Sequence, residues 1–176
     1  PPPRPGMKPR GTEVSVVLDL MIHDIDVLLN LVHSAVARVE AVGVPVLSDS
    51  EDIANARIVF ENGCVANLTA SRISAELMRK IRVFKSHAYL SLDYQNRKGD
   101  IAYQHDGQIM RGDVPVHDCN ALLVELQDFC RCIREVRTGE VVPEPRVSGR
   151  QGMDALRIAH LVLASIAASG LTRDEG

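Results

Sequence analysis

The chain has 176 residues, 45% of them hydrophobic and 24% charged, the balance of an ordinary globular protein of one or two small domains. Twenty Lys and Arg against 23 Asp and Glu leave a net charge of −3, and aromatics make up 3% with no Trp. These values exclude a strongly basic nucleic-acid binder and argue against a base-stacking platform for single strands.

Pro1 to Arg10 holds five of the nine prolines and reads as an extended tail or linker, leaving residues 11–176 as one domain. It lacks the apolar core of a signal peptide, and Met7 is internal, so the sequence reads as a piece of a longer chain. No run approaches about 18 uninterrupted apolar residues, so no membrane span is expected. The loop Lys8-Pro-Arg10-Gly-Thr12 puts two cations before the first helix. Arg10 can pair with a phosphate there, or serve only as part of a solvated basic loop.

Residues 16–33, VVLDLMIHDIDVLLNLVH, predict a helix. At about 100° per residue, with Asp19 at 0°, His23 falls near +40°, Asp26 near −20°, Asn30 near +20° and His33 near −40°. Five polar residues thus form one narrow stripe, with Asp24 off it. A solvated face normally carries Lys and Glu, and this stripe has neither. Short acids, an amide and imidazoles suit a cleft. Asp19 and His23 stand four apart, where a carboxylate can fix the imidazole tautomer and steady its charged form. Such a pair suits proton transfer from a hydroxyl. Its other use is as half a metal site, but no third ligand is visible, and no metal is expected.

Residues 36–47 predict a strand that ends at Pro45 and Ser48-Asp49-Ser50. In 53–73, Ala54, Ala56, Ile58 and Phe60 alternate with Asn55 and Arg57. Glu61-Asn62-Gly63 turns the chain, and Cys64, Ala66, Leu68 and Ala70 then alternate with Asn67, Thr69 and Ser71. This predicts an antiparallel hairpin with one apolar face. A second hairpin is expected over 80–94, an edge strand over 100–105, and a turn-rich loop from Asp106 to Gly112. Asp118 is the expected N-cap of a helix over about 120–137, with Leu122, Leu126, Phe129 and Ile133 on one face. Ser148 and Gln151 form a capping box that opens a helix to Ser169, closed by Gly170. The four cysteines, at 64, 119, 130 and 132, lack zinc spacing and read as free thiols of a reducing cytosol.

The fold class is therefore α+β: a mostly antiparallel open sheet with helices on one face. The uncovered face, with Asn55, Arg57, Asn67, Thr69 and Ser71, suits either solvent or a second copy of the chain.

VVLDLMIHDIDVLL resembles the D-x-x-x-H-D-x-D helix of the C-terminal domain of the glucose–fructose oxidoreductase / inositol dehydrogenase family, Gfo/Idh/MocA. EDIANARIVFENGCVANLTASR is similar to the family's sheet hairpin, and VSGRQGMDALRIAHLVLASIAASG to its closing helix. The resemblance runs from about Lys8 to Gly170. It implies a parent with an N-terminal Rossmann domain that binds NAD or NADP, and a C-terminal domain that supplies the sugar pocket and an open oligomerisation sheet. It implies catalytic roles for His23 and Asp19; substrate binding is expected of Arg10 and Asp26. The family's E-K-P lysine and glycine fingerprint are absent here. This chain alone is thus expected to be inactive and to bind no cofactor. The wording around the first helix is most similar to members that oxidise the 3-hydroxyl of a nucleotide sugar, UDP-N-acetylglucosamine, ahead of lipid A biosynthesis. Another sugar or cyclitol dehydrogenase of the family, or a non-catalytic dimerisation or ligand-binding domain, stays open. The expected setting is cytoplasmic, with no nucleic-acid or membrane partner.

Overall fold

A computed structural model describes residues 13–75, 78–116, 119–138 and 143–170. The expected tail, including Arg10, and the expected cap Asp118 lie outside the described residues. The elements run in order as a π-helical turn Val17–Met21, α1 Ile22–Leu31, β1 Val36–Val44, β2 Ile53–Phe60, β3 Val65–Ser71, β4 Lys80–Lys85, β5 Ala88–Asp93, β6 Lys98–His105, β7 Gln108–Asp113, α2 Ala121–Thr138 and α3 Gly149–Ser169. The chain divides into two compact units: the described residues up to Ile73 with those from Arg146 on, and those from Ser74 to Pro145.

The first unit is built on the antiparallel sheet β1-β2-β3. Its register sets Ala54 opposite Ala70, Ala56 opposite Leu68 and Ile58 opposite Ala66, so the predicted apolar face forms as one surface. Gly63, at φ 83°, makes the turn between β2 and β3 that an L side chain would strain. Against this face lie Val16, Val17, Met21 and Ile25 from the first helix and Ala155, Ile158, Ala159, Val162 and Ile166 from α3. At Gly43 a Cβ would stand 2.6 Å from Glu51 Cγ and 3.0 Å from Ile166 Cδ1, so glycine lets α3 approach β1 closely. Ser165 Oγ of α3 also accepts the Ala41 N–H of β1 at 2.8 Å. By length and composition alone α3 is apolar enough to cross a membrane, but its apolar stripe is part of this core.

The second unit holds the antiparallel sheet β4-β5-β6-β7. The strands thus form two sheets. Residues 100–105 belong to an inner strand, β6, where an edge was expected. The expected loop 106–112 contains the outer strand β7. Asp106 and Gly107, at φ 49° and 77°, make a two-residue turn of the type that matches strand twist. The Asp-Gly pair was the available signal; β7 is exposed at every position and so shows no burial alternation. Asp93 accepts from Asn96 N and Nδ2 at 2.9 and 3.0 Å, which shapes the β5–β6 turn. Asn120, just before α2, accepts the Leu123 N–H on its Oδ1 at 3.1 Å. Its predicted apolar face is exposed: Leu122, Leu126, Phe129 and Ile133 all remain accessible.

Candidate active site on the first helix

The first helix differs from the expected α-helix over 16–33. Its opening turn is π-helical, with the Ile22 N–H donating to Val17 O five residues back. Turns of this kind are rare and recur at functional sites. The wider turn also changes the projection. Residues four apart in an α-helix overshoot a full turn by about 40°. A turn closed five residues back sets such residues more nearly in line.

Val16, Val17, Met21 and Ile25 are fully buried and anchor one side of the helix. Asp19 and His23 lie exposed on another side. No hydrogen bond or ion pair joins them in the structure. They form an accessible acid–imidazole pair one helical turn apart, free to meet a ligand.

The start of the helix is fixed by a buried carboxylate. Asp52 has no accessible surface. Its Oδ2 accepts the Val46, Leu47 and Ser48 N–H groups at 2.8, 2.6 and 2.9 Å, and its Oδ1 accepts from Ser48 Oγ at 2.9 Å. Arg72 Nε stands 3.6 Å from Oδ1, and Arg72 Nη2 donates to Val14 O. Glu51 O accepts the Val16 N–H at 2.9 Å. Burial pushes the Asp52 carboxyl up, but the Leu47, Val46 and Ser48 donors outweigh it and hold the group well below the usual carboxylate range. One buried acid thereby ties the β1–β2 connection, the end of β3 and the chain entering the π-helical turn.

The predicted five-residue stripe divides. Asp26, Asn30 and His33 line a cleft of about 530 Å³ with Gln151, Asp154 and Arg157 of α3; Asp19 and His23 are not among its lining residues. Asn30 Nδ2 donates to Asp26 O at 2.8 Å, and Gln151 Nε2 donates to Asn30 Oδ1 at 3.1 Å. Gln151 Oε1 meanwhile accepts the Ser148 N–H at 2.8 Å, completing the predicted capping box. The cap of α3 and the polar side of α1 are thus one network. Sequence reasoning found Gln151 as a cap and missed Asp154 and Arg157. Their spacing of three and six from Gln151 was the signal, because it places them together beside the buried Ala155 and Ile158.

Among the described residues no three His, Cys, Asp or Glu side chains gather as a metal site. The sequence has no G-x-G-x-x-G. The N-terminus of α3, the kind of place where a phosphate binds, already has Ser148 Oγ accepting the Gln151 N–H.

Comparison with known proteins bears on the family and the fold. A sequence profile of the GFO/IDH/MocA C-terminal domain matches residues 3–91. UDP-N-acetylglucosamine 3-dehydrogenase of Acidithiobacillus ferrooxidans is 37% identical over 132 residues, which cover 72% of this chain and 42% of that protein. A solved structure of that enzyme superimposes with a TM-score of 0.81 at 33% identity, over 92% of this chain and 50% of the other. A levoglucosan dehydrogenase solved with NADH and levoglucosan shares the fold, with a TM-score of 0.70 at 16% identity over 86% of this chain and 48% of that one. The chain spans half or less of the length of each.

Proposed function

Because the chain belongs to the GFO/IDH/MocA family and has the fold of its C-terminal domain, we propose that it is the substrate-binding half of an NAD(P)-dependent sugar dehydrogenase acting on the 3-hydroxyl of UDP-N-acetylglucosamine. The observation that carries this is the exposed Asp19–His23 pair on a helix whose opposite side is locked in the core. The substrate assignment is supported by the identity to an enzyme of that name. Lipid A assembly in the cytoplasm is the setting that the sequence resemblance implies.

Oxidation of a ring alcohol removes a proton from oxygen and a hydride from carbon. A nicotinamide cofactor supplies the hydride acceptor, and its cradle is assigned to the Rossmann half that the resemblance implies. This chain's residues handle the proton. A ring nitrogen of His23 accepts it from the hydroxyl, and the Asp19 carboxylate steadies the imidazolium that results. Asp26, at the mouth of the cleft between α1 and α3, binds sugar hydroxyls. Arg10 pairs with the diphosphate. The outer face of β1–β3 joins copies of the chain. There Thr69 Oγ1 donates to Asn55 Oδ1 at 2.7 Å and Arg57 Nη1 to Asn67 Oδ1 at 3.2 Å.

The test is kinetic, in an enzyme that joins this chain to a dinucleotide-binding half. His23→Ala lowers turnover by about 10²–10⁴-fold and leaves NADH affinity nearly unchanged. Equal loss of both, or no loss, overturns the assignment. Turnover on UDP-N-acetylglucosamine against free sugars and cyclitols tests the substrate.

A further inference from the structure

The sheet of the second unit ends on β7, and all six of its residues are exposed. Pairing fixes which backbone groups of this strand are open. The Val114 N–H donates to Gly99 O at 2.7 Å, so by antiparallel alternation residues 108, 110 and 112 bond toward β6. The N–H and C=O groups of Ile109, Arg111 and Asp113 therefore point out of the sheet. Among the described residues nothing bonds to them. The β1 edge of the other sheet is treated differently, since Ser165 reaches its Ala41 N–H.

Exposed edges are normally guarded by charged side chains, Lys above all, by Pro or by a bulge. β7 has no Lys, Pro or bulge, and Pro115 follows two residues past its end. Its Ile109 is 72% exposed. Its two charges, Arg111 and Asp113, make no ion pair among the described residues. Asp113 moreover stands directly opposite a second exposed acid, Asp100. Like charges in that position are destabilising, so a cation beside Asp113 would be favourable.

We propose that β7 pairs antiparallel with β7 of a second copy about a two-fold axis at Gly112, joining two four-stranded sheets edge to edge. The strand is self-complementary in this register. Arg111 of each copy faces Asp113 of the other, Met110 faces Val114, and Ile109 faces Pro115, which accepts through its C=O but has no N–H to donate. The two adjacent registers with the same hydrogen bonding centre on Arg111 or on Asp113 and set like charges against each other. Gly112 meets its own symmetry mate as a non-hydrogen-bonded pair, with Cα atoms about 4.5 Å apart. A Cβ at Gly112 would meet only Ile101 Cγ2, at 3.7 Å, so a side chain fits there. This surface is separate from the outer face of β1–β3 assigned to assembly above.

Light scattering on the eluting 176-residue chain tests it, with circular dichroism to confirm folding. The unaltered chain runs as a dimer, or as a tetramer where the β1–β3 face is engaged as well. Arg111→Asp weakens the dimer by about tenfold or more, because it replaces two attractive pairs with two repulsive ones. The combined Arg111→Asp and Asp113→Arg exchange restores it. Gly112→Cys gives a covalent dimer on mild oxidation, with the 112–112 linked peptide found by mass spectrometry. Exposed Cys119 and Cys130 are replaced by Ser in that arm. A monomeric chain, a dimer indifferent to the charge change, or no 112–112 linkage overturns the proposal. So does a dimer broken by Arg57→Glu on the β1–β3 face and untouched by changes in β7.

Discussion

In the unit that carries the first helix, Phe60, Met21, Ile25 and Ile58 are fully buried, whereas in the Ser74–Pro145 unit Cys132 is the sole buried hydrophobic residue among those described. The contrast extends to equivalent side chains: Phe60 is 1% exposed and Phe129 is 59% exposed. Both were legible as apolar positions in periodic segments. Periodicity states which residues share a face; burial needs a second face to meet it. In the first unit the second face exists, because β2, β3, the first helix and α3 all present apolar stripes to one layer. That dry layer holds the helix with Asp19 and His23 in one position. In the second unit the strands are only half-buried and α2 presents its leucines outward.

The largest test of the contrast lies in the core. Phe60→Ala removes a fully buried ring from the end of β2, beneath the sheet that supports the site helix. Losses for such substitutions run to about 3–5 kcal/mol. Urea unfolding of the chain reads the change directly. A loss below about 1 kcal/mol would mean that the first unit is packed as loosely as the second, and the contrast would fail.

The next effect is electrostatic. Removing the Asp52 charge leaves three backbone donors and Arg72 facing a poorer acceptor. Asp52→Asn is expected to cost about 3 kcal/mol at neutral pH. The folded carboxyl lies below its unfolded value of about 3.9, so the folded state favours the ionised form. Its contribution is therefore complete above about pH 4 and is lost as pH falls toward the folded value. Asp93 in the second unit behaves in the same sense. The Asn96 side chain, the Asn96 N–H and Lys80 hold it at about 2 against the opposing effect of burial. Acid unfolding of the Asp52→Asn variant should thus keep a shallower slope with pH. An unchanged slope would show that Asp52 does not clamp the first unit.

The parts legible in the sequence were those where one local rule decides. Alternation at Ala54, Ala56, Ile58 and Phe60 set the buried face of β2, and the structure buries all four. Ser148, Gln151 and Gly170 bounded α3 to the residue, because a capping box and a left-handed glycine are local chemistry. β7 was missed because a strand without burial leaves no period to read. The π-helical turn was invisible because a helical projection assumes one angle per residue throughout. It lies between buried Val17 and Met21 on one side and a chain start held by Arg72 and Glu51, contacts that no local spacing encodes. The division of the polar stripe follows from α3, which lies 121 residues from Asn30 at Gln151 and brings its own polar groups to one end of α1. No spacing rule within the first helix contains that contact.

The smallest expected effect completes the contrast. Phe129→Ala makes the same chemical change as Phe60→Ala at a position where the ring already meets solvent. Surface substitutions away from special features fall within about 0.5 kcal/mol of zero. Alanine is also the better helix former, so the helical preference of α2 opposes any loss of contact. Urea unfolding of the chain should therefore place this variant on top of the parent, while Phe60→Ala shifts far to lower denaturant. A loss of about 2 kcal/mol or more would show that the α2 face finds a partner in solution. The spacing of Leu122, Leu126, Phe129 and Ile133 would then mark a core layer of the second unit, and the two units would differ in what covers their apolar faces instead of in whether anything does.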